Sequence, residues 1–166
     1  DDVFVPDERV LGEVDGGWQL AMDVLPYERS TTFWHRGAHL LRRADQLVQA
    51  LPPAVDDVTA HALGEAYQSV IAFRARSRAT QHRLAAGGTL GAETSVDKVL
   101  IATAEQRLFD TARGLFPGLV EFDDTPEAEI WRTDYLYAKA ATIYGGTAEV
   151  QRNIIARRLL DLGPES

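Results

Sequence analysis

Apolar residues recur at helical spacing along most of the chain. Trp18, Leu20, Ala21, Met22, Val24 and Leu25 follow the turn Asp15-Gly16-Gly17 and predict a short amphipathic helix. Pro26, which lacks an N–H and crowds the preceding turn, is expected to end or kink it. A long helix is expected over 27–51, with Phe33, Trp34, Leu40, Leu41, Leu47 and Val48 as its apolar face, up to the breaker Pro52-Pro53. Asp56 or Asp57 can cap a second long helix reaching residue 86, closed by Gly87-Gly88. Val96, Val99, Leu100, Ala104, Leu108, Ala112 and Leu115 mark a third over 92–115, stopped by Phe116-Pro117-Gly118 and an acidic loop at 121–124. Thr125-Pro126-Glu127 combines a cap, a first-turn proline and an acid at the positive end of the dipole, so a fourth helix should run to residue 144. Gly145-Gly146 interrupts, and Thr147 caps a last helix to residue 162, ended by Gly163-Pro164.

Long helices joined by short breaks, with almost no alternating pattern, predict an all-α protein: an antiparallel four-helix bundle with short extra helices. The apolar residues just named are expected to form its core. The opening at 2–6 reads as an extended piece, and the first residue is Asp1 rather than Met. Both suggest that 1–15 lead in from a preceding domain and that 16–166 form the bundle of a longer chain.

Composition narrows the chemistry. Seventeen basic against 25 acidic residues leave a formal charge of −8, so no global positive field collects nucleic acid or anionic lipid. No apolar run reaches the length of a bilayer span. With no cysteine the chain has no disulfide, thiolate nucleophile or Cys-ligated zinc, which fits a cytoplasmic setting. His35 and His39 share a face at i, i+4, but no acidic pattern converges on them and no metal site is expected. Arg74, Arg76, Arg78 and Arg83 read as charges spread around a solvated helix.

Two stretches stand out. One is Leu25-Pro26-Tyr27-Glu28-Arg29; the other begins Ile143-Tyr144-Gly145-Gly146-Thr147-Ala148-Glu149 and runs through Val150-Gln151-Arg152-Asn153-Ile154-Ile155-Ala156-Arg157. Two glycines between helices admit positive φ and let a ligand approach bare amides, and the helix start at Thr147 can face an anion. The same Gly-Gly-Thr also serves as a C-cap followed by an N-cap, and periodicity does not decide between the two.

Together with Val-Pro at 5–6, Leu-Gly at 11–12 and Gly-Gly-Trp at 16–18, these stretches resemble the carboxy-terminal helical domain of the acyl-CoA dehydrogenase family. The resemblance implies FAD as cofactor and an acyl-CoA substrate. It also implies an electron-transfer flavoprotein or similar acceptor, and a homo- or hetero-oligomer built as a dimer of dimers. The reaction would remove an α-proton and transfer the β-hydrogen to flavin as hydride, giving a trans-2-enoyl-CoA. An isolated domain is expected to be inactive.

Such proton removal needs a carboxylate and an electrophilic grip on the thioester oxygen. The family's common base lies immediately before the Gly-Thr of the late motif, where this chain has Gly145. Other members place the base at the Glu of Leu-x-x-Glu-Arg, which matches Glu28, a residue otherwise readable as a plain helix-surface acid. The resemblance therefore implies Glu28 as base and the Gly145 amide as donor to the thioester oxygen. It puts Arg29 and Arg157 beside the substrate and Gly146, Thr147, Ala148 and Glu149 at FAD.

A second departure lies at 51–56, Leu-Pro-Pro-Ala-Val-Asp, where the family usually supplies an Arg to the flavin diphosphate of a neighbouring subunit. Losing that charge-assisted contact costs about 1.5–3 kcal/mol, or roughly tenfold or more in affinity. The alternatives are a non-catalytic or half-site subunit of a heteromeric dehydrogenase, and a cofactor-free assembly module.

Overall fold

The computed structural model describes residues 2–30 and 33–163. Asp1 and Pro164, on which two of the expectations above rest, lie outside them. The elements in order are a 3-10 turn Asp7–Arg9 and six helices: α1 Gly17–Glu28, α2 Trp34–Ala50, α3 Asp57–Ala85, α4 Thr94–Leu115, α5 Pro126–Ala140 and α6 Ala148–Arg158. No strand occurs among the described residues. The helices α2 to α5 are the bundle; α1 and α6 flank it.

The long helices share a seam because their buried positions alternate steps of three and four. On α2 these are Gly37, Leu40, Ala44 and Leu47; on α3 they are Ala66, Val70, Phe73, Ser77 and Thr80. That spacing keeps one stripe facing a nearly antiparallel neighbour. Gly37 permits the closest approach, since a Cβ there would stand 3.3 Å from both Phe73 and Arg74. Helix α4 is central and packs against each of the other five. Ile101, Ala104, Leu108, Phe109 and Ala112 meet Phe73 and Val70 of α3, Leu40 of α2 and Trp131 of α5 in one core. Each large side chain buried there contributes about 1.5–3 kcal/mol.

Side-chain caps start three of the helices. Asp56 accepts from the Thr59 amide at 2.7 Å, Thr125 from Ala128 at 3.2 Å and Thr147 from Val150 at 3.4 Å.

Three buried carboxylates fix how these helices sit against one another. Asp97 of α4 receives Arg76 at 2.6 Å and Thr80 at 2.8 Å, both from α3. Glu105, also of α4, receives Arg36 of α2 at 2.7 Å. Asp134 of α5 receives Arg43 at 2.8 Å and lies 2.9 Å from His39, both on α2. Burial pushes Asp97 and Glu105 above the usual carboxylate range against the pull of their arginines. At Asp134 burial is outweighed by His39 and Arg43, and its pKa is lowered.

Several expectations are corrected. Pro26 does not end α1; it lies in the last turn, two residues before the helix stops at Glu28. The helix expected over 27–51 is not one element: residues 27–28 belong to α1, and α2 begins at Trp34. Glu28 consequently ends α1 instead of heading the first long helix. Helix α5 stops at Ala140 and gives way to turns, and α6 stops at Arg158. The apolar residues of α1 are not core: Trp18 is 76% exposed, and no residue of that helix is buried. Val150, Leu159 and Leu162 are likewise exposed. These faces lack a second layer among the described residues, so their helical periodicity has nothing to bury against. The arginines of α3 are not a uniform solvated face either, since Arg76 and Arg83 pair with Asp97 and Glu93 of the neighbouring segment.

Candidate functional site at the Gly145 corner

After α5 the backbone winds through 141–146 and enters α6, with φ of +63° at Gly145 and +95° at Gly146. The left-handed region explains both glycines. At Gly146 a side chain is also excluded by space, because a Cβ would collide with the amide of Gln151. The Gly145 carbonyl accepts two hydrogen bonds, from Arg29 Nε at 3.0 Å and from Gln151 Nε2 at 3.1 Å. Arg29 follows α1 and Gln151 is a fully buried residue of α6, so two elements distant in sequence grip one peptide.

Glu28 closes the corner from the side of α1. Its Oε1 lies 3.6 Å from the point where a Cβ of residue 145 would begin, and Lys98 Cε lies 3.4 Å from the same point. A carboxylate from another helix thus approaches the space that a side chain at 145 would enter.

Lys98 is 2% exposed, donates to the Ala141 carbonyl and stands 4.0 Å above the Tyr144 ring. Burial lowers its pKa, while Glu105 and Glu28 pull the other way. Tyr144 is pushed well above the usual phenol range by burial and by the Glu105 charge. Burial also lowers Arg29, against Glu28 and together with Arg158. The corner therefore holds a carboxylate and two cations within one partly desolvated volume, where charges interact more strongly than in water.

The residues expected to act together are distributed unevenly. Glu28, Arg29, Gly145 and Gly146 converge. Thr147, Ala148 and Glu149 continue the corner into α6, but the first turn is largely occupied internally. The Ala148 amide donates to Thr142 and the Val150 amide to Thr147, while a hydrogen bond to its own backbone amide holds the Glu149 carboxyl below its usual range. Arg157 lines a shallow groove of about 290 Å³ along α6 with Val150, Asn153, Ile154 and Arg158, and it is the Arg158 charge that reaches Arg29. His39 is committed to Asp134, and no group of three His, Cys, Asp or Glu converges among the described residues.

Lys98 was missed by sequence reasoning, and Tyr144 and Gln151, although inside the late stretch, were given no role there. A signal existed for Lys98: Asp97-Lys98 interrupts an apolar run on the central helix, where charged residues are seldom placed without partners.

The architecture and the corner define a class, an all-helical bundle with a candidate site at its edge. Residues 15–160 match the family model described as acyl-CoA dehydrogenase, C-terminal domain, and the chain belongs to that family. It is 31% identical to the acyl-CoA dehydrogenase IpdE1 of Mycobacterium tuberculosis, over all of this chain and 43% of that protein. It is also 31% identical to the acyl-CoA dehydrogenase FadE34 of the same organism, over 98% of this chain and 22% of that protein. A solved structure titled Tcur3481-Tcur3483 steroid ACAD shares the fold, with a TM-score of 0.83 at 21% identity over 98% of this chain and 44% of the other. The chain thus spans less than half the length of these relatives.

Proposed function

We propose that this chain is the C-terminal part of an FAD-dependent acyl-CoA dehydrogenase that converts an acyl-CoA thioester to its trans-2-enoyl-CoA. In that reading Glu28 is the general base, and the observation that carries it is the approach of its carboxylate to within 3.6 Å of the missing side chain's origin at Gly145. The carboxylate takes the α-proton, and the electrons of that C–H bond form the α,β double bond as the β-hydrogen leaves with its pair. The Gly145 N–H donates to the thioester oxygen, where negative charge develops, and Lys98 adds a buried positive charge to the same volume. Arg29, anchored on the Gly145 carbonyl, holds the peptide in place. With Arg157 it serves the substrate side.

Bound FAD supplies the hydride acceptor. The segment 146–149 suits the neutral flavin ring and not the diphosphate, because the donors of the first α6 turn are engaged and Glu149 places a carboxylate at its positive end. The diphosphate then depends on residues outside this segment. An electron-transfer flavoprotein or similar acceptor would reoxidise the flavin.

The test is Glu28→Gln in the full-length protein, which should slow flavin bleaching by its acyl-CoA about 10²–10⁴-fold while leaving FAD bound. A wild-type rate would refute the assignment.

A second reading is favoured by one feature, the link at 51–56. It carries no cation, and its Asp56 is used as the cap of α3. A heteromeric dehydrogenase in which this subunit contributes one half of a flavin site accounts for that link. Under it, the purified full-length protein binds less than one FAD per chain alone and gains flavin on mixing with its partner.

A further inference from the structure

Helices α2 and α3 enclose a second concavity of about 510 Å³, between the first turn of α2 and the last turns of α3. Its walls include Trp34, Arg74, Ser77, Arg78, Gln81 and His82, and none of its lining residues is acidic. That composition is unusual for a chain of formal charge −8.

Arg74, Arg78 and His82 recur every four residues and therefore stack on one face of α3, roughly 6 Å apart along its axis. The arginines between and beyond them are taken: Arg76 pairs with Asp97 and Arg83 with Glu93. Like charges at this spacing destabilise a helix unless an anion lies between them. The Gln81 amide nitrogen is buried with no hydrogen-bond partner among the described residues, a donor left over at the wall of the cavity. The indole of Trp34 is 62% exposed at the rim.

From these features we propose that the α2–α3 cavity binds an adenosine diphosphate moiety. Arg74 and Arg78 take the two phosphates, the Trp34 indole stacks on the purine, and Gln81 donates to an acceptor of the base or sugar. The volume is that of a drug-sized ligand and far exceeds a lone inorganic anion. An exposed aromatic face beside paired guanidinium groups is the combination by which proteins hold base and phosphate together. The moiety occurs free and as one end of coenzyme A and of FAD. The site is independent of the Glu28 assignment.

Isothermal titration of the full-length protein with ADP, coenzyme A and FAD in turn, wild type against Arg78→Gln and Trp34→Leu, decides the matter. Arg78 and Trp34 are both exposed, so each variant is expected to fold, and a melting curve confirms it. At least one of the three ligands should bind the wild type with a dissociation constant of roughly 10 μM and weaken at least about tenfold in Arg78→Gln. A loss confined to ADP identifies a free nucleotide as occupant. A loss confined to coenzyme A or FAD identifies that molecule's nucleotide end. Equal affinities in wild type and Arg78→Gln for all three, or no binding at all, overturn the proposal. So does inorganic diphosphate binding as tightly as ADP with no response to Trp34→Leu, which would leave an anion patch without a base site.

Discussion

The two glycines of the corner are not equivalent. A methyl at Gly145 meets Lys98 and Glu28 at ordinary contact distances, so Gly145→Ala pays only for its left-handed φ, about 1–2 kcal/mol. At Gly146 the same methyl also evicts Gln151 and breaks its hydrogen bond to Gly145, raising the expected cost to roughly 2–4 kcal/mol. Thermal melting of the two variants side by side should rank them in that order. Asp134 supports a second residue-scale prediction. Its folded pKa lies below the unfolded value near 3.8, so the stability it contributes is complete above that value and is lost as pH falls through the folded one. Asp134→Asn should cost about 3–5 kcal/mol near neutral pH by stranding the buried Arg43 charge, and should flatten this part of the acid limb. Asp97 and Glu105, raised by burial, act in the opposite sense: their contribution is present below the unfolded carboxylate values and declines as pH rises through the folded ones.

At the level of elements, caps and breakers made most of the fold legible. Pro52-Pro53, Gly87-Gly88, Phe116-Pro117-Gly118 and Thr125-Pro126 locate the ends of α2 to α5 to within a few residues, α2's N-terminus and α5's C-terminus excepted, because each acts through local backbone chemistry. Thr125→Ala should therefore cost about 1 kcal/mol, seen as a lowering of the melting temperature by about 2–4 °C. Pro26 misleads by only a little: α1 continues two residues past it before stopping at Glu28. The buried pairs Arg36–Glu105, Arg43–Asp134 and Arg76–Asp97 were illegible for a different reason: their partners are 69, 91 and 21 residues apart, and only packing reveals which charges meet. The site was legible in part. Glu28 and Gly145 come from motif resemblance; Gln151 lies in the same late stretch but its bond to Gly145 is set by the turn, and Lys98, a charge within an apolar run, reaches the corner only through packing. Helix α1 has an apolar face but no fully buried residue, so in the isolated 166-residue chain its amides should exchange with solvent much faster than those of α3 and α4. Equal protection across the three would contradict that ranking.

At the scale of the whole molecule, each buried carboxylate joins a different pair of helices: Asp97 joins α4 to α3, Glu105 joins α4 to α2, and Asp134 joins α5 to α2. Such pairs are weak sources of net stability, but they penalise any slip of one helix past another. The bundle is consequently a rigid frame with a less firmly held rim, and the rim carries Glu28 and Arg29. Arg29 reaches the Gly145 carbonyl from the end of a helix that packs on α4 without burying any of its residues fully. The geometry of the Gly145 corner therefore rests on one side on a helix with no buried residue. Under the function proposed above, a chain whose α1 is not yet seated would hold Glu28 away from its target, so proton abstraction would wait on whatever contact fixes that helix.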